Sequence, residues 1–91
     1  MEARKIEAQF AATWTGDLDD DCSARWAGFL LRAEEMEDGV WWYAVHDVAL
    51  GLTIEDSTVL GADVHDSSTA RQKCENAARR SLGLPANAKK A

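Results

Sequence analysis

The run Val40-Trp41-Trp42-Tyr43-Ala44-Val45-His46-Asp47-Val48 constrains the fold more than any other stretch of the chain. It is crowded with aromatic and branched side chains that suit a pleated strand, in which successive side chains point to opposite faces. Trp41 and Trp42 therefore require cover on both sides of one sheet.

The flanks of this strand predict its partners. Met36-Glu37-Asp38-Gly39-Val40 reads as a three-residue hairpin loop with glycine at the left-handed position, which makes residues 24–36 the preceding strand. In that register Met36 faces Val40, Ala33 faces Tyr43 and Leu31 faces Val45, so that Phe29, Leu31, Ala33, Trp41, Tyr43 and Val45 share a face. A helix over 24–36 is the alternative. Cys22, Trp26, Phe29, Leu30, Ala33 and Met36 fall on one side of a helical wheel and Asp21 would cap it, but Gly28 sits in mid-segment. Downstream, Ala49-Leu50-Gly51 makes a tight connection into an alternating strand over residues 52–56, and residues 57–66 lead toward the next element. Upstream, residues 5–14 alternate, with Ile6, Ala8, Phe10, Ala12 and Trp14 on one side, which predicts a half-buried strand. The turn formers and acids of residues 16–21 predict a loop.

Thr69 and Gln72 have the spacing of a capping box, which predicts a helix from Ala70 to Leu82, stopped by Gly83 and kept from resuming by Pro85. Ala70, Cys74, Ala77 and Ser81 form a narrow face of small side chains that lets the helix lie close on a sheet of large ones. The expected class is α+β: an antiparallel meander of three to four strands with one C-terminal helix packed on one face. Residues 1–84 form a single domain and 85–91 a flexible tail. With 91 residues, 46% of them hydrophobic and 29% charged, the chain has the composition of one folded domain with a modest core.

If one helix covers one face, the other carries Trp42 and Ala44, joined by Trp26 and Leu30. An apolar patch of that kind is not left in water by a soluble monomer. Trp26, Leu30, Trp42 and Ala44 are therefore the candidate interface of a homodimer, unless the N-terminal strand, a curled sheet edge or a helical 24–36 segment covers them within one chain. An interface built on these tryptophans should be insensitive to salt.

Charge is sorted along the chain. Residues 1–66 carry fifteen acids against four bases, and residues 67–91 carry six bases against Glu75 alone, which together make the formal net charge of −6. Lys73, Arg79 and Arg80 are candidate charged contacts, although bases in the last turn of a helix also offset its dipole. With so acidic a remainder, nucleic acid is a disfavoured partner. Asp17, Asp19, Asp20 and Asp21, with Glu34, Glu35, Glu37 and Asp38, offer the opposite option of a contact for a basic protein.

Chemistry finds little purchase. His46 and Asp47, as strand neighbours, point to opposite faces, and Asp47 followed by Gly51 reads as a hairpin end held by a side-chain hydrogen bond. Cys22 and Cys74 form no CxxC pair and, with His46 and His65, no motif that fixes two metal ligands at once, so buried free thiols are expected. We expect no catalytic residue, metal or cofactor. No apolar run reaches the roughly 20 residues of a membrane span and no signal peptide opens the chain, so the expected location is the cytoplasm.

The run Trp42-Tyr43-Ala44-Val45, followed by a capped helix with Glu75-Asn76-Ala77-Ala78, resembles the strand and helix of HicB-type antitoxins over less than half of the chain. The Pro-Asp-Leu-Pro-Gly loop typical of that family has no counterpart, and the resemblance assigns no residue a role. The expected function is that of a small non-catalytic binding protein, a homodimer or a subunit of an assembly. An acidic regulator of a basic protein or, through the C-terminal helix, of nucleic acid is the alternative.

Overall fold

Five segments run side by side: β1 (Thr15–Asp17), β2 (Asp21–Trp26), β3 (Phe29–Glu37), β4 (Val40–Asp47) and β5 (Leu52–Asp56). The computed structural model, which describes residues 2–37, 39–60 and 64–85, joins them in an antiparallel meander in chain order. Among the described residues there are also three helices, α1 (Glu2–Glu7), α2 (Ser57–Leu60) and α3 (Ser67–Ser81). The α+β meander with a C-terminal helix across one face is the class that the alternation and the capped helix predict. The expected tail after Pro85, Asp38 of the hairpin loop, and residues 61–63 lie outside the described residues.

Residues 24–36 are extended, as the strand reading has it, but they belong to two strands. Ala27 and Gly28 both have positive φ, 54° and 83°, the conformation of a two-residue hairpin turn whose twist matches the flanking strands. Trp26 consequently pairs with Phe29 across the turn. The β3–β4 register matches expectation at Ala33 opposite Tyr43 and Leu31 opposite Val45, whereas a bulge between Glu35 and Glu37 sets Glu37, not Met36, opposite Val40. The segment read as a loop, residues 16–21, contributes β1 and the start of β2. Only its middle is a turn, closed by the Asp19 N–H donating to the Asp17 carboxylate at 2.9 Å.

The predicted strand over residues 5–14 is not formed. Helix α1 ends at Glu7, and the chain runs irregularly to Trp14. Its alternating apolar positions do not share a face, since Ala8 is fully buried while Ile6 and Phe10 are 51% and 66% exposed. Carbonyls that a ladder would have bonded are taken by side chains instead: the Arg79 Nε–H donates to the Ala8 carbonyl at 2.9 Å and the Trp26 indole to that of Phe10 at 3.2 Å.

Helix α3 starts three residues before the predicted Ala70. Asp66 is the N-cap, and Thr69 gives it both its backbone N–H (2.7 Å) and its hydroxyl (3.0 Å), a stronger acceptor than the threonine that the capping box proposes. The C-terminus is as predicted. Gly83 takes φ 81°, the Leu84 N–H reaches the Arg79 carbonyl at 2.8 Å and the Gly83 N–H that of Arg80 at 3.0 Å, the paired bonds of a Schellman ending. Ala70, Cys74, Ala77 and Ala78 are buried on the sheet, while Ser81 is exposed. These small side chains let Phe29, Leu31, Tyr43 and Val45 fill the layer between helix and sheet.

Candidate functional site

The register divides the sheet into two unlike faces. Cys22, Ala24, Trp26, Phe29, Leu31, Ala33, Trp41, Tyr43 and Val45 point inward beneath α3 and the N-terminal segment. The opposite face is composed in three rows. Asp17, Asp21, Glu34 and Trp42 follow one another at the end nearest the β1–β2 and β3–β4 turns; Thr15, Ser23, Arg32, Ala44 and Asp56 make the middle row; Arg25, Leu30, His46 and Thr53 make the third.

At the centre of this face the Arg32 guanidinium lies over the Trp42 ring, 5.7 Å from its centroid, with Asp21 4.0 Å beyond. The Trp42 indole N–H donates to the Asp56 carboxylate at 3.1 Å, so the polar edge of the ring is satisfied and its apolar body remains half-exposed. Ala44, beside it, is fully buried. Leu30 is half-buried between Arg25 and His46, and His46 Nδ1 lies 3.0 Å from the Thr53 hydroxyl. Between β1 and β3 the surface sinks into an open depression of about 410 Å³ bordered by Thr15, Gly16, Asp21, Ser23, Leu30 and Arg32.

Of the four residues predicted as an interface, the structure puts Leu30, Trp42 and Ala44 on one face, with Leu30 two rows from Trp42, and removes Trp26. The Ala27–Gly28 turn reverses the parity of β2, so Trp26 faces inward, 5% exposed, with the Arg79 guanidinium 5.2 Å from its ring. Of the predicted basic contacts, Arg79 is likewise withdrawn. It is 2% exposed, pairs with Glu75 at 3.7 Å and donates to the Ala8 carbonyl. Glu75 also accepts from the Trp14 indole at 3.0 Å. Arg80 is exposed and pairs with Glu55 at 3.3 Å, and Lys73 is exposed. The residue that sequence reasoning missed is Arg32. Its signal is the two-residue spacing from Leu30, which puts both on the face of Trp42.

His46 and Asp47 do point apart. Asp47, 2% exposed, pairs with Arg4 at 3.1 Å and accepts the Leu50 N–H at 3.1 Å, holding the hairpin end. His65 Nδ1 lies 3.2 Å from the Gly39 carbonyl. Among the described residues no group of three or more His, Cys, Asp or Glu side chains is placed to hold a metal ion. Cys22 and Cys74 are free and buried, and burial pushes both thiols up, that of Cys74 far above the usual range, so neither carries thiolate character near neutrality. Burial, together with the hydroxyl's hydrogen bond to Glu55 (2.6 Å), likewise raises Tyr43. What the open face offers is an aromatic ring, a guanidinium and flanking charges, which are means of recognition.

No protein-family model, curated protein or solved structure matches the chain. The functional reading therefore rests on this geometry. No described helix is long and apolar enough to cross a membrane.

Proposed function

We propose that the protein is a non-catalytic interaction module that works through the open face of its sheet, as a homodimer or as a subunit of an assembly. One observation carries the reading: Trp42 stands half-exposed on the open face of a five-stranded sheet with Arg32 of the central strand over its ring, while the helix and the N-terminal segment are spent on the other face. Tryptophan and arginine at the centre of a polar-rimmed patch are the residues that most often dominate binding energy. Five strands at about 4.8 Å spacing and three rows of side chains make a face of roughly 400 Å² in projection, below the about 800 Å² per partner of a standard interface. Association through it belongs to the weak, reversible class. Two buried free thiols suit a reducing compartment and support a cytoplasmic location.

The test is solution mass by light scattering over a concentration series reaching the high micromolar range. The parent should move from about 10 kDa toward about 20 kDa, and Trp42→Ser should not. A Trp42→Ser variant that associates as the parent does refutes the reading. An acidic regulator remains the second reading. It is favoured by the Glu35 N–H bond to the Asp20 carbonyl (2.7 Å), which ties together two acid-bearing turns. It differs in responding steeply to salt with a basic partner.

A further inference from the structure

The open face is charged in opposite senses at its two ends. Asp17, Asp21 and Glu34 lie in the row nearest the acidic turns, and Arg25 lies two rows away. Glu34 and Arg25 make no ion pair among the described residues. They cannot reach each other within one chain, because four residues of strand separate their rows by roughly 13 Å. A basic partner spread over the face would meet Arg25, an acidic one would meet the carboxylates, and nucleic acid would meet three carboxylates at once. A surface that is its own electrostatic complement is satisfied by a copy of itself.

Resting on the proposed function, we infer that the occupant of the face is a second copy of this chain, packed face to face with its strands antiparallel to those of the first. The two-fold axis then runs across the strands at the level of Arg32 and Ala44. Each strand lies over its own counterpart reversed, which puts Arg25 over Asp21 of the partner subunit, Leu30 and His46 over the row that contains Trp42 of the partner subunit, and Arg32, whose charge Asp21 of its own chain offsets, at the axis. The same contacts repeat on the other side of the axis. The competing arrangement, with the axis along β3, lays Glu34 on Glu34 of the partner subunit and keeps Arg25 away from every carboxylate of the acidic row, and is disfavoured by like charge. Apolar contact around Trp42 and Leu30 supplies the attraction, and the charged rows choose the register.

Charge reversal tests the register separately from the interface. Arg25 and Asp21 are both exposed, so Arg25→Glu and Asp21→Arg should leave the melting temperature close to that of the parent, which is measured alongside. Each variant alone should dimerise about tenfold more weakly or worse, because it sets like charges against each other twice. An equimolar mixture of the two should recover dimer, because in the mixed pair both contacts are again of opposite charge. Sedimentation velocity on the parent, each variant and the mixture reads all of these. A parent that dimerises through Trp42 while the single reversals change nothing, or while the mixture stays monomeric, overturns the register and leaves the proposed function standing. A parent that is monomeric throughout the concentration series overturns the second copy as occupant and, with it, the homodimer form of the proposed function.

Discussion

Replacing Arg79 by alanine should cost more than any other single change on α3. The guanidinium is 2% exposed, lies 3.7 Å from the Glu75 carboxylate and 5.2 Å from the Trp26 ring centroid, and donates through Nε to the Ala8 carbonyl at 2.9 Å. Removing it leaves Glu75 as a buried charge held, among the described residues, by the Trp14 indole, and leaves a buried carbonyl without its donor. Breaking a buried pair from one side costs about 3–5 kcal/mol, most of it the penalty for the charge left behind. The stacking on Trp26 belongs to the same contact set and is not added separately. For a domain of this size each kcal/mol moves the melting temperature by roughly 4–8 °C, so even about 3 kcal/mol means a drop of roughly 12–24 °C. Equilibrium urea unfolding followed by tryptophan emission is the assay, since Trp14 and Trp26 both touch the cluster. Glu75→Gln keeps an oxygen for the Trp14 indole and should cost less than Arg79→Ala. The N-terminal segment should also loosen in Arg79→Ala, giving faster tryptic cleavage after Lys5. A loss below about 1 kcal/mol, the range of an exposed pair, would refute the claim that this arginine is a buried clasp.

Two further changes probe the frame. Thr69 donates twice to Asp66 and so holds that carboxyl below its ordinary value. Because the folded-state value is depressed, the cap stabilises above the ordinary aspartate range and the gain is lost as pH falls through the folded value. Asp66→Ala should therefore melt below the parent at pH 7, with the gap narrowing as pH falls below the ordinary aspartate range; an undiminished gap in acid would exclude the carboxylate as its cause. Gly28→Ala places a Cβ 2.5 Å from Arg4 Nε at φ +83°, whereas Gly51→Ala at φ +70° meets open space. The second should cost about 1 kcal/mol for the left-handed backbone. The first should cost about 3 kcal/mol or more in urea titrations, because it also displaces Arg4 from the buried Asp47; equal losses would show that only backbone strain matters.

The parts of the fold that could be read from sequence are those in which a local signal has one physical meaning. Gly83 followed by Pro85 ends a helix whatever surrounds it, and the alternation of Phe29, Leu31 and Ala33 against Trp41, Tyr43 and Val45 admits one register with a buried face. Leu30, Trp42 and Ala44 were legible as one face for the same reason. Trp26 was not, because a two-residue turn at Ala27–Gly28 reverses strand parity, and alanine at positive φ advertises no turn. The alternation of residues 5–14 misled because two of its five apolar positions, Ala8 and Ala12, are alanines, which suit a helix or an irregular segment as well as a strand. Arg79 was misread because a base near a helix C-terminus ordinarily points to solvent. Its burial depends on a tertiary arrangement, with Trp26, Ala8 and Glu75 brought around it from distant parts of the chain.

The misreading of the N-terminal segment bears directly on why the second sheet face is open. A sheet of five strands is roughly 24 Å across, and one helix of about 10–12 Å diameter covers at most about half of that width. The inner face therefore needs a second cover, and residues 8–14 supply it, tied down by Arg79 and Trp26 and contributing Ala8, Ala12 and Trp14 to the core. As an added edge strand the same residues would have widened the sheet and left the inner face with even less cover. By packing beside α3 they spend the last long apolar stretch on the side of Trp41. Trp42 is left with only what its own face provides: Asp56 on its nitrogen and Arg32 on its ring. That is enough to hold the indole in place and insufficient to bury it, which is the condition under which a second sheet gains by packing against it.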